Sequence, residues 1–250
     1  VGEAVDGRRV VLVTGSSRGI GAETARRIAR TGAHVLVNYR EKRKRAEGVV
    51  GEIVAAGGSA AAVGADLSDT EAVDALGTRI AEDYGRLDGL VLNASGGLER
   101  GADPGYALRI NRDAQVAVVT KLLPLIPAGG RIVFVTSHQA HFFPSDPQVP
   151  PGYEPIAASK RAGEDALRGM EDRFRSRGIG FVVVSGDMID GTIIVRLLER
   201  RDPSSVGSRR AAGPLPTVEE FAAAVAAAYS GPVANGRTVY VGGRDYLTPR

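Results

Sequence analysis

The chain has 250 residues, 32 Lys and Arg against 29 Asp and Glu, and is 43% hydrophobic and 24% charged, the balance of a soluble globular protein with room for one large α/β domain or two small ones. Cysteine is absent, which excludes a disulfide framework, a thiolate metal site and a cysteine nucleophile and fits a reducing, cytoplasmic setting. No apolar run approaches the roughly 20 residues of a bilayer span, residues 1–6 are too mixed for a signal peptide, and a net charge of +3 without a long basic face argues against nucleic acid.

The chain alternates strand and helix from end to end. Apolar runs at 10–13, 35–37, 60–63, 90–92, 132–135, 181–184 and 239–241 read as buried strands. Helical stretches lie near 20–30, 42–56, 69–84, 105–126, 155–176 and 218–229, two of them opened by capping boxes at Ser68–Glu71 and Thr217–Glu220. Strands separated by helices predict a doubly wound, Rossmann-type α/β fold: a parallel seven-stranded sheet covered on both faces, in a single domain over residues 1–250. Two segments interrupt the rhythm. Residues 142–152 carry Pro144, Pro147, Pro150 and Pro151 and read as an irregular loop. Residues 186–216 are long, basic and weakly periodic, which predicts a substrate loop or lid.

After the first strand comes Thr14-Gly15-Ser16-Ser17-Arg18-Gly19-Ile20-Gly21. Gly15 permits a tight turn, Gly19 lets backbone approach a ligand, and Gly21 lets helix and strand pack closely. The N–H groups of the helix start then face a diphosphate. After the second strand, Asn38-Tyr39-Arg40 is neutral and then basic, where an NAD-selective site carries an acidic residue on the ribose hydroxyls. Arg40 and Arg18 suit a 2′-phosphate, so NADP(H) is favoured over NAD(H). The alternative is that Arg40 begins a solvated charged run.

The glycine spacing, Gly-x-x-x-Gly-x-Gly, resembles that of the short-chain dehydrogenase/reductase family, and further elements follow in order over residues 8 to 245. Asp66-Leu67 resembles the step beside the adenine, Asn93-Ala94-Ser95-Gly96 resembles the family's Asn-Asn-Ala-Gly with Ser95 inserted, and Gly242-Gly243 resembles its terminal strand. The resemblance also places Thr192 and Lys160 with the cofactor. It implies hydride transfer at a nicotinamide, with a tyrosine as proton donor, a lysine four residues later, a serine on the substrate oxygen and an asparagine in a water relay. Asn111, Ser137 and Lys160 match three of these positions. The fourth, four residues before Lys160, is Ile156, which transfers no proton.

The nearest tyrosine, Tyr153, stands seven residues before Lys160, two helical turns on the same face. Pro155 suits a first helical turn, and Glu154 before it reads as extended, so Tyr153 is expected to hang from the loop end and swing into the space of the missing phenol. Tyr153 is accordingly the candidate acid. The alternatives are that Tyr153 packs at the helix entrance, or that His138, His141 or a hydroxyl of the substrate supplies the proton. The two histidines have no convincing third partner for a metal. The reading is NADPH-dependent reduction of a ketone or aldehyde, polyketide-like or acyl. Its rivals are a non-catalytic dinucleotide-binding sensor and a lyase or epimerase. Phe142, Phe143 and Met188 suggest an apolar substrate pocket. The family resemblance implies a homodimer or homotetramer through the helices near 105–126 and 155–176.

Overall fold

Alternation within each strand divides the core. Val11, Val13, Val35, Val37, Val91 and Val133 belong to one buried cluster, and Leu12, Leu36, Leu90, Leu92, Ile132 and Phe134 to the other. Strands buried on both faces belong in a parallel sheet sandwiched by helices, and the computed structural model of the chain, which describes residues 7–98, 103, 105–145, 149–150 and 152–247, has that sheet. Its strands are β1 (Val10–Val13), β2 (His34–Tyr39), β3 (Ser59–Gly64), β4 (Gly89–Leu92), β5 (Arg131–Ser137), β6 (Gly180–Gly186) and β7 (Thr238–Val241). All pair in parallel, in the order β3-β2-β1-β4-β5-β6-β7. Chain direction across the sheet reverses between β1 and β4, which opens a crevice at their carboxyl ends.

The helices are α1 (Gly19–Ala29), α2 (Arg43–Ala55), α3 (Thr70–Tyr84), α4 (Tyr106–Leu108), α5 (Ala114–Leu122), α6 (His138–His141), α7 (Glu154–Arg168), α8 (Glu171–Ser176), α9 (Ile193–Arg201), α10 (Pro203–Ala212) and α11 (Val218–Ser230). A π-helical turn, Arg109–Asp113, joins α4 to α5. None of these helices is long and apolar enough to cross a membrane.

Several expectations need correction. The capping box at Thr217 forms with Glu220, but α3 is capped by Asp69, whose carboxylate accepts from Glu71 and Ala72 N–H. Ser68 is diverted to Asp66 Oδ1, at 2.9 Å from its N–H and 2.7 Å from its hydroxyl. The stretch near 155–176 divides into α7 and α8 around Gly169 and Met170, where a glycine weakens the helix. Glu154 is helical and not extended: α7 starts there and Pro155 takes its first turn, where backbone N–H groups need no intrahelical acceptor. Residues 186–216, expected to be a weakly periodic loop or lid, hold two helices, α9 and α10. Their starts are fixed by Thr192, which accepts from Val195 N–H, and Asp202, which accepts from Ser204 and Ser205 N–H. In the proline-rich segment 142–152, α6 ends at His141 and a turn carries Phe142 to Ser145. Pro147, Pro151 and residues 1–6 lie outside the described residues.

Candidate active site

The crevice between β1 and β4 is a cleft of about 600 Å³. Its floor is the glycine turn. Gly15 and Gly19 take φ of 60° and 55°, which side chains resist, and a Cβ on Gly21 would stand 2.6 Å from Asn93 Nδ2 and 2.7 Å from Gly15 O. Two amides brace this turn. Asn38, 2% exposed, accepts from Gly15 N–H at 3.1 Å and donates to the carbonyls of Val63 and Ala65 at 3.3 Å. Asn93 donates to the carbonyls of Thr14 and Gly15 at 3.0 and 3.3 Å. Both residues line the cleft, but their amides are spent on holding the turn. The N-cap of α1, Arg18, makes no side-chain capping bond, so the helix presents its first N–H groups to the cleft, an arrangement suited to an anion.

Ser17, Arg18, Ile20, Tyr39, Arg40, Asp66, Leu67, Ala94, Ser95 and Thr192 also line the cleft. Arg40 lies at its rim between Glu41, 3.0 Å from Nε, and the Tyr106 hydroxyl, which accepts from Nη1 at 2.6 Å. Lys42 and Arg45 add charge at the same rim. Tyr106, Leu98, Ile194 and Leu197 are lining residues that the sequence reading missed. The Thr192 cap before the apolar run 193–195 was a signal for the last two, whereas nothing local marks Tyr106.

The candidate proton-transfer residues stand on β5 and α7. Ser137, Tyr153, Ile156 and Lys160 are not among the residues that line the cleft, but Leu98, Ile194 and Leu197 of its lining pack with Tyr153 and Ile156. Ser137 closes β5, and its hydroxyl oxygen is buried without a hydrogen-bond partner among the described residues. Tyr153, 6% exposed, stands at the N-cap of α7 with its phenol facing Ser137. Burial raises the phenol above its ordinary pKa, and the Ser137 hydroxyl offsets part of that rise. The contact falls short of a well-formed hydrogen bond, because Ser137 Oγ completes none. Two turns along α7, Lys160 is half-buried and makes no hydrogen bond to Tyr153 or Ser137 among the described residues. Burial depresses the Lys160 ammonium to about 8, against a smaller opposing pull from Glu164. Ser137 and Tyr153 are therefore brought together, and no hydrogen bond among the described residues joins Lys160 to either.

Ile156 does not leave the expected space vacant. It is buried with Leu98, Ala107, Ala140, Tyr153 and Ala157, and a Cβ on Gly97 would meet its Cδ1 at 2.6 Å. Phe143, Val149, Ile194 and Leu197 pack on that cluster, which makes an apolar wall beside the two hydroxyls. Met188 belongs elsewhere, in a small core with Val195 and Leu198 of α9 and Val206 of α10. Phe142 stacks between Tyr240 and Tyr246.

Asn111 sits in the π-helical turn, a common device at functional sites. Its amide accepts from Gly96 N–H at 3.2 Å and donates to Gly96 O and Ser159 Oγ at 3.0 Å. It thus ties the cofactor loop to α7. Gly163 lies so close to the Asn111 carbonyl that a Cβ there would stand 2.1 Å from it.

Both histidines are committed elsewhere. His138 is fully buried. Its Nε2 lies 3.2 Å from Gly242 O, which can only accept, so Nδ1 accepts from Ser185 at 2.8 Å. Burial lowers its pKa, so the ring stays neutral. His141 lies 2.9 Å from both oxygens of Glu164 and 3.0 Å from the Tyr240 hydroxyl. Burial alone would raise the Glu164 pKa, but His141 and Arg168 together hold it down. Among the described residues no group of three His, Cys, Asp or Glu side chains could hold a metal ion. A groove of about 1000 Å³ between α3 and α5 contains none of the glycine-turn, serine or tyrosine residues.

A family model for the short chain dehydrogenases matches residues 9–202. The chain belongs to the short-chain dehydrogenase family. It is 34% identical over 196 residues to a 1-cyclohexenylcarbonyl-CoA reductase of Streptomyces collinus, covering 75% of this chain and 67% of that one. It is 34% identical over 178 residues to a hydroxynaphthalene reductase of Aspergillus fumigatus, covering 68% and 62%. The chain thus spans about two thirds of the length of these two relatives. Among solved structures, a short-chain dehydrogenase from Burkholderia cenocepacia in complex with NADP has a TM-score of 0.79 at 31% identity, covering 96% of this chain and 98% of that one. An angucycline C-6 ketoreductase with bound NADP has a TM-score of 0.79 at 27% identity, covering 94% and 95%. Like those relatives, this short-chain dehydrogenase is an NAD(P)-dependent oxidoreductase.

Proposed function

We propose that the protein is a single-domain NADPH-dependent ketoreductase acting on an apolar, polyketide-like ketone, with Tyr153 as the proton donor. The observation that supports the reading is the pair of buried hydroxyls, Ser137 and Tyr153, packed behind Leu98, Ile194 and Leu197 of a cleft whose glycine turn fits a dinucleotide. The uncapped start of α1 and the glycine turn would hold the diphosphate, Asp66 and Leu67 the adenine side, and Arg18 and Arg40 the 2′-phosphate. The bound nicotinamide would supply the hydride.

The chain's own residues then have distinct tasks. The unpaired Ser137 hydroxyl binds and orients the substrate oxygen, and Tyr153 donates a proton to that oxygen as negative charge develops there. Burial raises the Tyr153 phenol above its ordinary value, so it is protonated at neutral pH and has a proton to give. Lys160 adds positive charge near the cofactor, and Asn111 holds loop and helix in register. The wall of Leu98, Ile156 and Ile194 receives the apolar body of the substrate and excludes water. The relatives include a hydroxynaphthalene reductase and an angucycline ketoreductase, which supports a cyclic or aromatic ketone here. A cytoplasmic homodimer or homotetramer in contact along α5 and α7 completes the reading.

The test is NADPH oxidation in the presence of a panel of aromatic and alicyclic ketones. Tyr153→Phe lowers kcat about a hundredfold with NADP affinity retained. Unchanged turnover in a folded variant removes Tyr153 from the chemistry, and failure of the unmodified enzyme on every ketone favours the non-catalytic sensor.

A further inference from the structure

Beyond the hydroxyls, a second buried polar cluster stands at the carboxyl end of β6. Asp187 follows that strand with its side chain 2% exposed, and Arg209 of α10 donates to both of its oxygens, Nε to Oδ1 at 3.2 Å and Nη2 to Oδ2 at 2.6 Å. The other flank of the same guanidinium donates to Asp245, Nη1 to Oδ2 at 2.7 Å and Nη2 to Oδ1 at 3.1 Å. It lies 4.9 Å from the centre of the Tyr246 ring. The planar fork of an arginine can bind two carboxylates at fixed angles, which a lysine cannot.

Asp245 and Tyr246 belong to the 3₁₀ turn Arg244–Leu247. Gly242 and Gly243, at φ of 74° and 55°, bend the chain into it after β7, a conformation that demands glycine. The same turn reaches the segment behind Ser137. Gln139 Nε2 donates to the Tyr246 hydroxyl at 3.2 Å, and Tyr246 stacks on Phe142 with ring centres 5.8 Å apart and planes 14° apart. Residues 244–247 therefore touch the lid helix α10 on one side and the Ser137 segment on the other.

We propose that this turn is a strap, with Arg209 as its positioning residue, that holds the lid helices against the segment carrying Ser137 and so sets the substrate end of the cleft. The lid needs such a fastening. Among the described residues its own buried core is four side chains, Met188, Val195, Leu198 and Val206, and beyond it α9 packs only the partly buried Ile194 and Leu197 on the Tyr153 cluster, non-directional contacts that an ion pair of fixed geometry would supplement. The residues between Asp187 and α9 include Gly191 and Thr192 of the cleft lining, so they inherit their position from a strand end clamped by Arg209. Arg210 completes the fastening from outside by pairing with Glu199 at 2.6 Å and Asp190 at 3.0 Å. The purpose assigned to the strap rests on the ketoreductase reading, whereas its mechanical role does not.

The test uses the full chain and the variant Asp245→Asn, which loosens one carboxylate that is 40% exposed and leaves the buried Asp187 pair intact. Amide hydrogen exchange over residues 188–212 is expected to accelerate about tenfold, with exchange in β1 and β5 unchanged. Asp245→Glu, which keeps the charge, restores most of the protection. KM for a reducible ketone rises about threefold or more while kcat changes less. Arg209→Lys, which cannot grip both carboxylates, reproduces the faster exchange. Unchanged exchange in Asp245→Asn overturns the strap, and faster exchange with an unchanged KM overturns its service to the substrate. If the unmodified enzyme reduces no ketone, the ketoreductase reading fails by itself. The strap is then judged by NADP-induced protection of residues 188–200, which Asp245→Asn is expected to abolish and which, if retained, overturns it.

Discussion

The glycine turn and the Ser137–Tyr153 pair are built in opposite ways. At the turn, Asn38 and Asn93 spend their amides on the backbone, and Asp66 is taken by Ser68. The first N–H groups of α1 are left to face the cleft, with Arg18 beside them. At the pair, polar side chains are held in reserve. Ser137 Oγ is buried and unpaired, and the Tyr153 phenol faces it across an imperfect contact. A satisfied group keeps its place and a buried hydroxyl without a partner can take one, so the turn is a preformed cradle and, in the proposed function, the hydroxyl pair is where a substrate oxygen would bind.

Ser137→Ala separates the two behaviours most sharply. Turnover should fall about a hundredfold or more, yet melting temperature should stay within about 2 °C because no protein hydrogen bond is lost. A large loss of stability would mean that the hydroxyl is structural. Gly21→Ala tests the cradle. Its new methyl group meets Asn93 Nδ2 and Gly15 O at under 3 Å, so NADP(H) binding measured by fluorescence should weaken at least about tenfold, alongside a destabilisation of about 1–3 kcal/mol. Arg40→Ala has a smaller effect, because the guanidinium is 44% exposed and solvent screens it. Affinity for NADPH should fall about five- to tenfold and affinity for NADH should hold. An equal loss for both cofactors would remove Arg40 from phosphate recognition.

The smallest effect is the dependence on pH. With the Lys160 ammonium depressed to about 8 by burial, kcat/KM for reduction should decline several-fold as pH rises through about 8. Stability should move the other way. Between about 8 and 10.5 the unfolded chain holds a proton that the folded chain has released, so the free energy of unfolding increases with pH across that window and the penalty of burying the charge is complete below it. A flat rate profile through pH 8 would mean that the lysine charge plays no part in the reaction.

This contrast also explains what could be read from the sequence. The cradle is a backbone device, so Gly15, Gly19 and Gly21 announce it locally, and the two-sided valine and leucine runs announce the sheet. The substrate end depends on residues far apart in the chain. That His138 would be locked between Ser185 and Gly242, or that Arg209 of the basic stretch would be buried on Asp187, follows from no local pattern. The helices in 186–216 were visible in principle through the caps Thr192 and Asp202, but the basic, weakly periodic composition concealed them. Ile156 was legible as a departure. Its packing against Gly97 and Leu98 was not, because those contacts join segments nearly 60 positions apart.

The most direct test of the displaced tyrosine is a crystal structure of the NADP complex, in which the position of the Tyr153 hydroxyl is measured. The account predicts an oxygen within hydrogen-bond reach of Ser137 Oγ and directed at nicotinamide C4, with Ile156 in the wall beside it. A phenol turned away, with Ile156 between Ser137 and the nicotinamide, would contradict it.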